Sequence, residues 1–568
     1  MPVTVISPDP RDLLHLAPEV ILATWGLVVL GIDFGLLRRT SADRKGRVLG
    51  LITLIGVLAA LVSTILPEIP GLAPTTHREP SLMLGTVVGG TLVGRINAVV
   101  LILLGLVVAL STTWRFTEHW GEYFALTLWA AVGMLFLIAS EELVTLFLSL
   151  EMMTICLYLL AAFEKGQGRS PEAGLKYFVY GSVSSGLFLF GLSLVYGLTG
   201  TTRLAGIGQA LMADGARAGL DGDVARAMAV LLVLVGFGFK VAAVPFHQWA
   251  PDVYEGAPAP VTAWIATGSK LASVIALLKV MVQSLGPWAY RATMEPGAAN
   301  GPASAGWVGL VALIAAATMT FGNVAALVQT NFKRLLAYSS IAHTGYLLVG
   351  VLAAVVSVNN ASASRAVLYY LVVYSFTTLG AFAVAAWLFR DKGSERIDDL
   401  DGLASHSPGL AVCILILMVS LIGIPPLGGF FGKLFLFMEA LNTAPDSAHR
   451  LTFLWLVLVG FLNSVVSAFY YVRVIRAMFL RPPSGVPMRR ASPAIATSIV
   501  LAAVVAVLFG IYARTVTDAS VIPHSRMFRV GGAALVSEIF EEDDDDIDPV
   551  LLPAPLPVQR IGPDAQAK

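Results

Sequence analysis

The side chains of this sequence that could do chemistry are charges set in apolar surroundings. Glu151 stands in TLFLSLEMMTICLYLL, Lys240 ends VGFGFK, Lys270 lies in TGSKLASVIALL, and Lys433 follows IPPLGGFFG. A charge at the centre of a membrane-length apolar segment costs roughly 2.5–3.5 kcal/mol on insertion scales, so four unpaired ones would cost about 10 kcal/mol or more. They must therefore pair, face water, or titrate. Lysine is a poor static tether and gives up its proton readily when desolvated, so the chemistry these residues suit is proton transfer. A network that only locks helices together is the competing reading. Two histidines join the candidate pathway: His247, two residues after Pro245, and His343 in SSIAHTGY, where Ser339, Ser340, Thr344 and Tyr346 supply a string of hydroxyls. A histidine titrates near neutral pH, which suits a relay. Lys279, Arg473 and Arg476 sit near helix ends, where long cationic side chains are expected to snorkel toward water.

Other chemistries find no support in the residue pattern. No His, Asp and Glu spacing suggests a metal site, no glycine loop suggests phosphate binding, and no nucleophile elbow is present. Cys156 and Cys413 lie in separate apolar stretches without a CxxC spacing. Catalytic, cofactor-binding and metal residues are thus expected to be none in this chain. The 37 basic and 37 acidic residues balance, which argues against a nucleic-acid partner.

The elements that must hold these charges follow from hydropathy. Only 13% of the residues are charged, about half the usual share for a soluble domain, and the mean hydropathy is +0.78. The expected fold is an all-α polytopic membrane protein with about 14 transmembrane helices in a lipid bilayer. The expected organisation is 1–122 as helices one to three, 123–284 as a first block of five helices, 306–478 as a second block, 493–513 as the last span, and 514–568 as an acidic, proline-rich tail. An odd number of helices per block makes the second block inverted relative to the first. The fourth helix of each block carries proline, Pro245 in one and Pro425–Pro426 in the other. Broken helices at matching places in inverted repeats point to an ion pathway near the midplane. The loop RRTSADRKGR, 38–47, has five basic residues, which places it in the cytoplasm and both termini on the opposite side.

Five segments then carry a family resemblance: SLEMMTICLYLLAAF (149–163), SPEAGLKYFVYGSVSSGLFLFGLSLVYGLTGTT (170–202), FGFKVAAVPFHQWAPDVYEGAPAPVTAWIATGSK (237–270), QTNFKRLLAYSSIAHTGY (329–346) and IPPLGGFFGKLFLF (424–437). Over roughly 120–480 the chain closely resembles the subunit N family of the proton-pumping NADH–quinone oxidoreductases, respiratory complex I, one of three antiporter-like subunits related to Mrp-type cation/proton antiporters. The resemblance implies two inverted five-helix repeats with two broken helices. It implies that Glu151 and Lys240 form a charge pair, that Lys270 is a central relay lysine, and that Lys433 is the terminal lysine. It also implies a bacterial inner (cytoplasmic) membrane, homologous antiporter-like and other membrane-arm subunits as partners, and FMN and Fe–S clusters on partner subunits, with none in this chain. Loop 67–95 and the tail depart from the family pattern, and after 513 there is no long amphipathic stretch of the kind that typifies subunit L. An Mrp-type antiporter subunit and a non-conducting structural membrane subunit are the alternatives.

Overall fold

The computed structural model describes residues 12–68, 81–113, 116–212, 222–286, 302–357, 360–443, 449–483 and 490–517. The acidic run 541–546 and residues 69–80 of the 67–95 loop fall outside the described residues. The apolar runs form helices, as hydropathy requires of a backbone that has no water to bond. Three come first: α1 (Ala17–Gly35), α2 (Ala42–Ser63) and α3 (Thr91–Ser111). Between the last two lies the described β-structure, a two-stranded antiparallel ribbon of β1 (Ser81–Leu82) and β2 (Val87–Val88), an exception to an all-α reading.

The first block follows as α4 (Trp120–Ala139), α5 (Leu143–Ala161), α6 (Arg169–Thr199), a short α7 (Leu204–Met212), α8 (Gly222–Val241), the short α9 (Trp249–Gly256) and α10 (Ala259–Leu285). The second comprises α11 (Pro302–Leu327), α12 (Phe332–Val356), α13 (Asn360–Lys392), the half-helices α14 (Pro408–Ile422) and α15 (Gly428–Asn442), and α16 (Arg450–Leu480); α17 (Pro493–Ile511) is the last membrane-length helix among the described residues. Among the described residues, 13 helices are long and apolar enough to cross a membrane. The broken α14–α15 pair makes the fourteenth crossing.

The two blocks repeat each other in packing as well as order. In each, the third helix is the longest or joint longest, 31 residues in α6 and 33 in α13. In each, the first two helices meet at a glycine. A Cβ on Gly133 would lie 2.6 Å from the Met153 nitrogen on α5, and one on Gly322 would lie 2.5 Å from the Ala342 nitrogen on α12. Such close approach lets backbones pack by van der Waals contact where lipid supplies no hydrophobic drive. Helices α10 and α12 are buried along the whole of their most apolar windows, whereas α6 and α16 bury about a third of theirs or less. A helix apolar all round belongs in the interior. The interior therefore holds the helices that carry Lys270 and His343.

Both breaks end in the same cap. After Val241 the chain turns at Ala242 (φ 60°), and after Ile422 it turns at Gly423 (φ 87°). The Ala243 N–H donates to Gly238 O at 2.7 Å and the Ala242 N–H to Phe239 O at 3.0 Å. The matching bonds run from Ile424 N–H to Val419 O at 3.3 Å and from Gly423 N–H to Ser420 O at 3.0 Å. This pattern is a Schellman cap with its left-handed residue at C′. The proline-bearing turns that follow free the last carbonyls of α8 and α14, at membrane depth, for side chains to use.

Candidate functional site

The freed carbonyls organise the charged residues. On α15, Lys433 Nζ donates to Ile422 O at 2.9 Å and to Leu421 O at 3.2 Å, the negative end of the α14 dipole. At the other break, Val241 O accepts from Thr344 Oγ1 at 2.7 Å, and Thr344 Oγ1 in turn accepts from Lys270 Nζ at 2.9 Å. Lys270 also donates to Ser340 O at 2.8 Å and Ser340 Oγ at 2.6 Å. It sits between two π-helical turns, Ile265–Ser269 and Val280–Leu285, which widen an otherwise regular α10.

Lys240, in the last turn of α8, donates to Thr154 Oγ1 at 2.7 Å and to Tyr177 OH at 3.5 Å. Glu151 is half-buried and accepts from Ser185 Oγ at 2.6 Å. Thr154 lies one turn from Glu151 on α5, so the acid and the lysine share a neighbourhood. No direct ion pair joins them among the described residues.

Between Lys270 and Lys433 stands His343. Its Nδ1 bonds Tyr370 OH at 2.6 Å and its Nε2 bonds Tyr471 OH at 3.3 Å, and Tyr471 OH bonds Ser339 Oγ. Tyr374 OH donates to Ser340 Oγ at 2.8 Å, tying this aromatic cluster to the Lys270 site. On the far side, the Tyr346 ring lies 5.8 Å from the His343 ring and 4.6 Å from Lys433 Nζ, between centroids or to the centroid. That places the Lys433 ammonium in cation–π range of the ring. The order along the interior is thus Lys240, the Val241 carbonyl, Thr344, Lys270, Ser340 and Tyr374, His343, Tyr346, Lys433.

What separates these lysines from the other buried cations is the charge of their partners. Lys240, Lys270 and Lys433 are 4%, 3% and 5% exposed, and their hydrogen-bond partners are hydroxyls and carbonyls. Lys279 is fully buried and does not snorkel as expected. Its Nζ lies 2.7 Å from Glu141 Oε1 and donates to Ile138 O at 3.2 Å and to Ser140 O. Lys333 pairs with Glu395 at 3.0 Å and donates to Glu255 O and Ala257 O. Each of these two lysines meets a carboxylate and two carbonyls. Lys279 and Lys333 thus sit in buried ion pairs, and the other three lysines do not among the described residues.

The remaining expectations divide. His247 is 9% exposed, with its ring 4.5 Å from that of Phe321. It makes no hydrogen bond to the lysine row among the described residues. Arg473 donates to Leu327 O at 3.0 Å and to Gln329 O, capping the end of α11, while Arg476 is exposed. The sequence reading missed Tyr177, Tyr370, Tyr374 and Tyr471. A signal existed for two of them: Tyr370 and Tyr374 are four apart on one face of α13. Outside the membrane, Arg481 donates to Asp398 Oδ1 at 2.7 Å, and this bond holds the carboxyl below its ordinary range.

The chain is similar to known proteins in sequence and fold. The family described as "NADH:quinone oxidoreductase/Mrp antiporter, TM" matches residues 140–459. "NADH-quinone oxidoreductase subunit N 2" of Acidobacterium capsulatum is 38% identical over 510 residues, 88% of this chain and 96% of the relative. "NADH-quinone oxidoreductase subunit N" of Rhodospirillum rubrum is 41% identical over 468 residues, 81% of this chain and 86% of that protein. A chain in the structure of respiratory complex I from Thermus thermophilus with bound Aureothin superposes with a TM-score of 0.68 at 30% identity, covering 88% of this chain and 98% of its own. A chain of the Mrp complex from Dietzia sp. DQ12-45-1b superposes with a TM-score of 0.70 at 21% identity, covering 89% and 95%, a likeness of fold.

Proposed function

This chain belongs to the subunit N family of the NADH–quinone oxidoreductases, and from that premise we propose that its buried lysine row carries protons while the redox chemistry proceeds on other subunits. The chain is a multi-pass, proton-translocating membrane-arm subunit whose partners include other membrane-arm subunits. FMN and Fe–S clusters belong on partner subunits outside the bilayer. Loop 38–47 faces the cytoplasm and both termini face the opposite side, in keeping with its basic residues.

The observation that supports the pathway is that Lys240, Lys270 and Lys433 make their hydrogen bonds to neutral groups, and that His343 stands between the last two with Tyr374 on one side and Tyr346 on the other. A change of charge at half-buried Glu151, at the edge of the row, alters the field at Lys240. The Lys240 proton then moves toward Lys270, and the Lys270 proton toward Lys433 through the hydroxyl and imidazole groups between them. Lys433 rests on two carbonyls at the end of a half-helix dipole, so it is stabilised when charged without being locked by a carboxylate. Reset of the charge at Glu151 releases the last proton.

Replacement of Lys433 tests this. Lys433→Ala should leave the complex assembled and lower both proton pumping and the coupled quinone reduction. Lys433→Arg should also impair pumping, because arginine keeps its proton. Wild-type pumping in an assembled Lys433→Ala complex would remove Lys433 from the pathway.

A further inference from the structure

Among the described residues outside the two repeats, one acid is buried with no cation paired to it. Glu19, in the first turn of α1, is 2% exposed. The hydrogen bond found for its carboxyl group comes from Asn97 Nδ2 on α3, which donates to Glu19 Oε1 at 3.3 Å. Two buried oxygens of this pair then have no hydrogen-bond partner, Glu19 Oε2 and Asn97 Oδ1. Both are acceptors when Glu19 is ionised, so the ionised pair leaves two acceptors unsatisfied. A single proton on Oε2 would supply the missing donor: its O–H would donate to Asn97 Oδ1 while Asn97 Nδ2 continues to donate to Oε1. The result is a cyclic acid–amide pair with each polar atom in use. We propose that Glu19 and Asn97 form a proton-binding site in this state, with Glu19 carrying the proton and exchanging it with water on the membrane face of the 64–90 connection.

The surroundings favour that reading. Asn97 lines a small crevice of about 10 Å³ together with His15, Ser63, Thr64 and Gly90, about the room one water needs beside the pair. His15 accepts from the Gly90 N–H through Nδ1 at 3.4 Å and is the titratable side chain on the adjoining turn. Arg95, also on α3, lines a different, apolar crevice with Tyr369 and Phe509. Helix α4 packs on α1 through Trp129, an uncharged group, whose Nε1 donates to Ala23 O. Asp33, toward the other end of α1, is paired with Lys45 at 2.7 Å. The positive end of the α1 dipole favours an ionised Glu19, but that effect is smaller than the cost of burying an uncompensated carboxylate. The site is independent of the lysine row and stands or falls without it.

Infrared difference spectroscopy on the purified complex decides the matter. At neutral pH the wild-type complex should show a carbonyl stretch of a protonated carboxylic acid that is absent from Glu19→Gln, shifts in D₂O and disappears on alkaline titration. Glu19→Gln should assemble normally, since its amide reproduces the hydrogen bonds of the protonated acid, donating to Asn97 Oδ1 and accepting from Asn97 Nδ2. Asn97→Leu should move the same band to higher wavenumber by removing its hydrogen-bond partner. Identical spectra for wild type and Glu19→Gln, failure of Glu19→Gln to assemble, or a band that ignores Asn97→Leu would each overturn the proposal.

Discussion

Gly423→Ala is the substitution whose effect can be worked furthest from the structure. Gly423 is the left-handed residue of the second break (φ 87°), and a non-glycine residue there costs roughly 1–2 kcal/mol in backbone strain. Its new Cβ would lie 3.1 Å from Lys433 Cδ and 3.5 Å from Nζ. The first distance is tight, so the lysine must withdraw by a few tenths of an ångström, away from Ile422 O and Leu421 O. A hydrogen bond from a charged group is worth about 1.5–3 kcal/mol, and part of that is lost. The expected outcome is an assembled complex, destabilised by about 1–3 kcal/mol in total, whose proton pumping per NADH oxidised falls several-fold without vanishing. The companion change is Ala242→Gly. Ala242 holds the matching position of the first break at φ 60° with a Cβ, so glycine relieves strain there and should be neutral or stabilising by up to about 1 kcal/mol. Pumping in membrane vesicles, normalised to assembled complex, with thermal stability measured in parallel, reads both. Wild-type pumping in Gly423→Ala would refute the claim that the carbonyls of α14 position Lys433. Strong destabilisation by Ala242→Gly would refute the equivalence of the two caps.

Three further outcomes follow from the same geometry. Lys279→Met leaves Glu141 unpaired beside two carbonyls and should cost about 3–5 kcal/mol and reduce assembly, whereas Lys279→Arg should assemble and pump; a non-pumping but assembled Lys279→Arg complex would make Lys279 part of the relay after all. For Glu151 and Lys240, single changes to Gln and Ala should each lower pumping per assembled complex, with the double variant losing less than the product of the two effects; independent, multiplicative losses would mean the two charges do not communicate across Thr154. The Asp398–Arg481 bond holds Asp398 below its ordinary range, so its stabilisation is present at neutral pH and lost as the pH falls through the acid range. Amide exchange at 397–406 should therefore accelerate below about pH 4, and should lose that pH dependence in Asp398→Asn.

How much of this was legible beforehand follows from the range of the forces involved. Hydropathy is a local property, so the apolar runs determined the helices, and Pro245 and Pro425–Pro426 determined where two of them break. The buried lysines were visible too, because a charge in an apolar run stands out whatever surrounds it. Helix ends were less legible: α13 begins at Asn360 with NASASR, a polar stretch that hydropathy alone does not mark as membrane helix.

What the tertiary structure alone decided is which partner each charge meets. Lys240 reaches Thr154 across 86 residues of chain, Lys270 reaches Ser340 across 70, and Lys279 reaches Ile138 across 141. Those meetings depend on how each helix is rotated about its axis, and a rotation of about 100°, one residue's worth, exchanges one partner for another. Lys279 and Lys270 are nine residues apart on one helix and look alike in sequence. Packing gives the first a carboxylate and the second only neutral groups. The Glu19–Asn97 pair was hidden for the same reason, since neither residue signals the other until α1 and α3 are laid side by side.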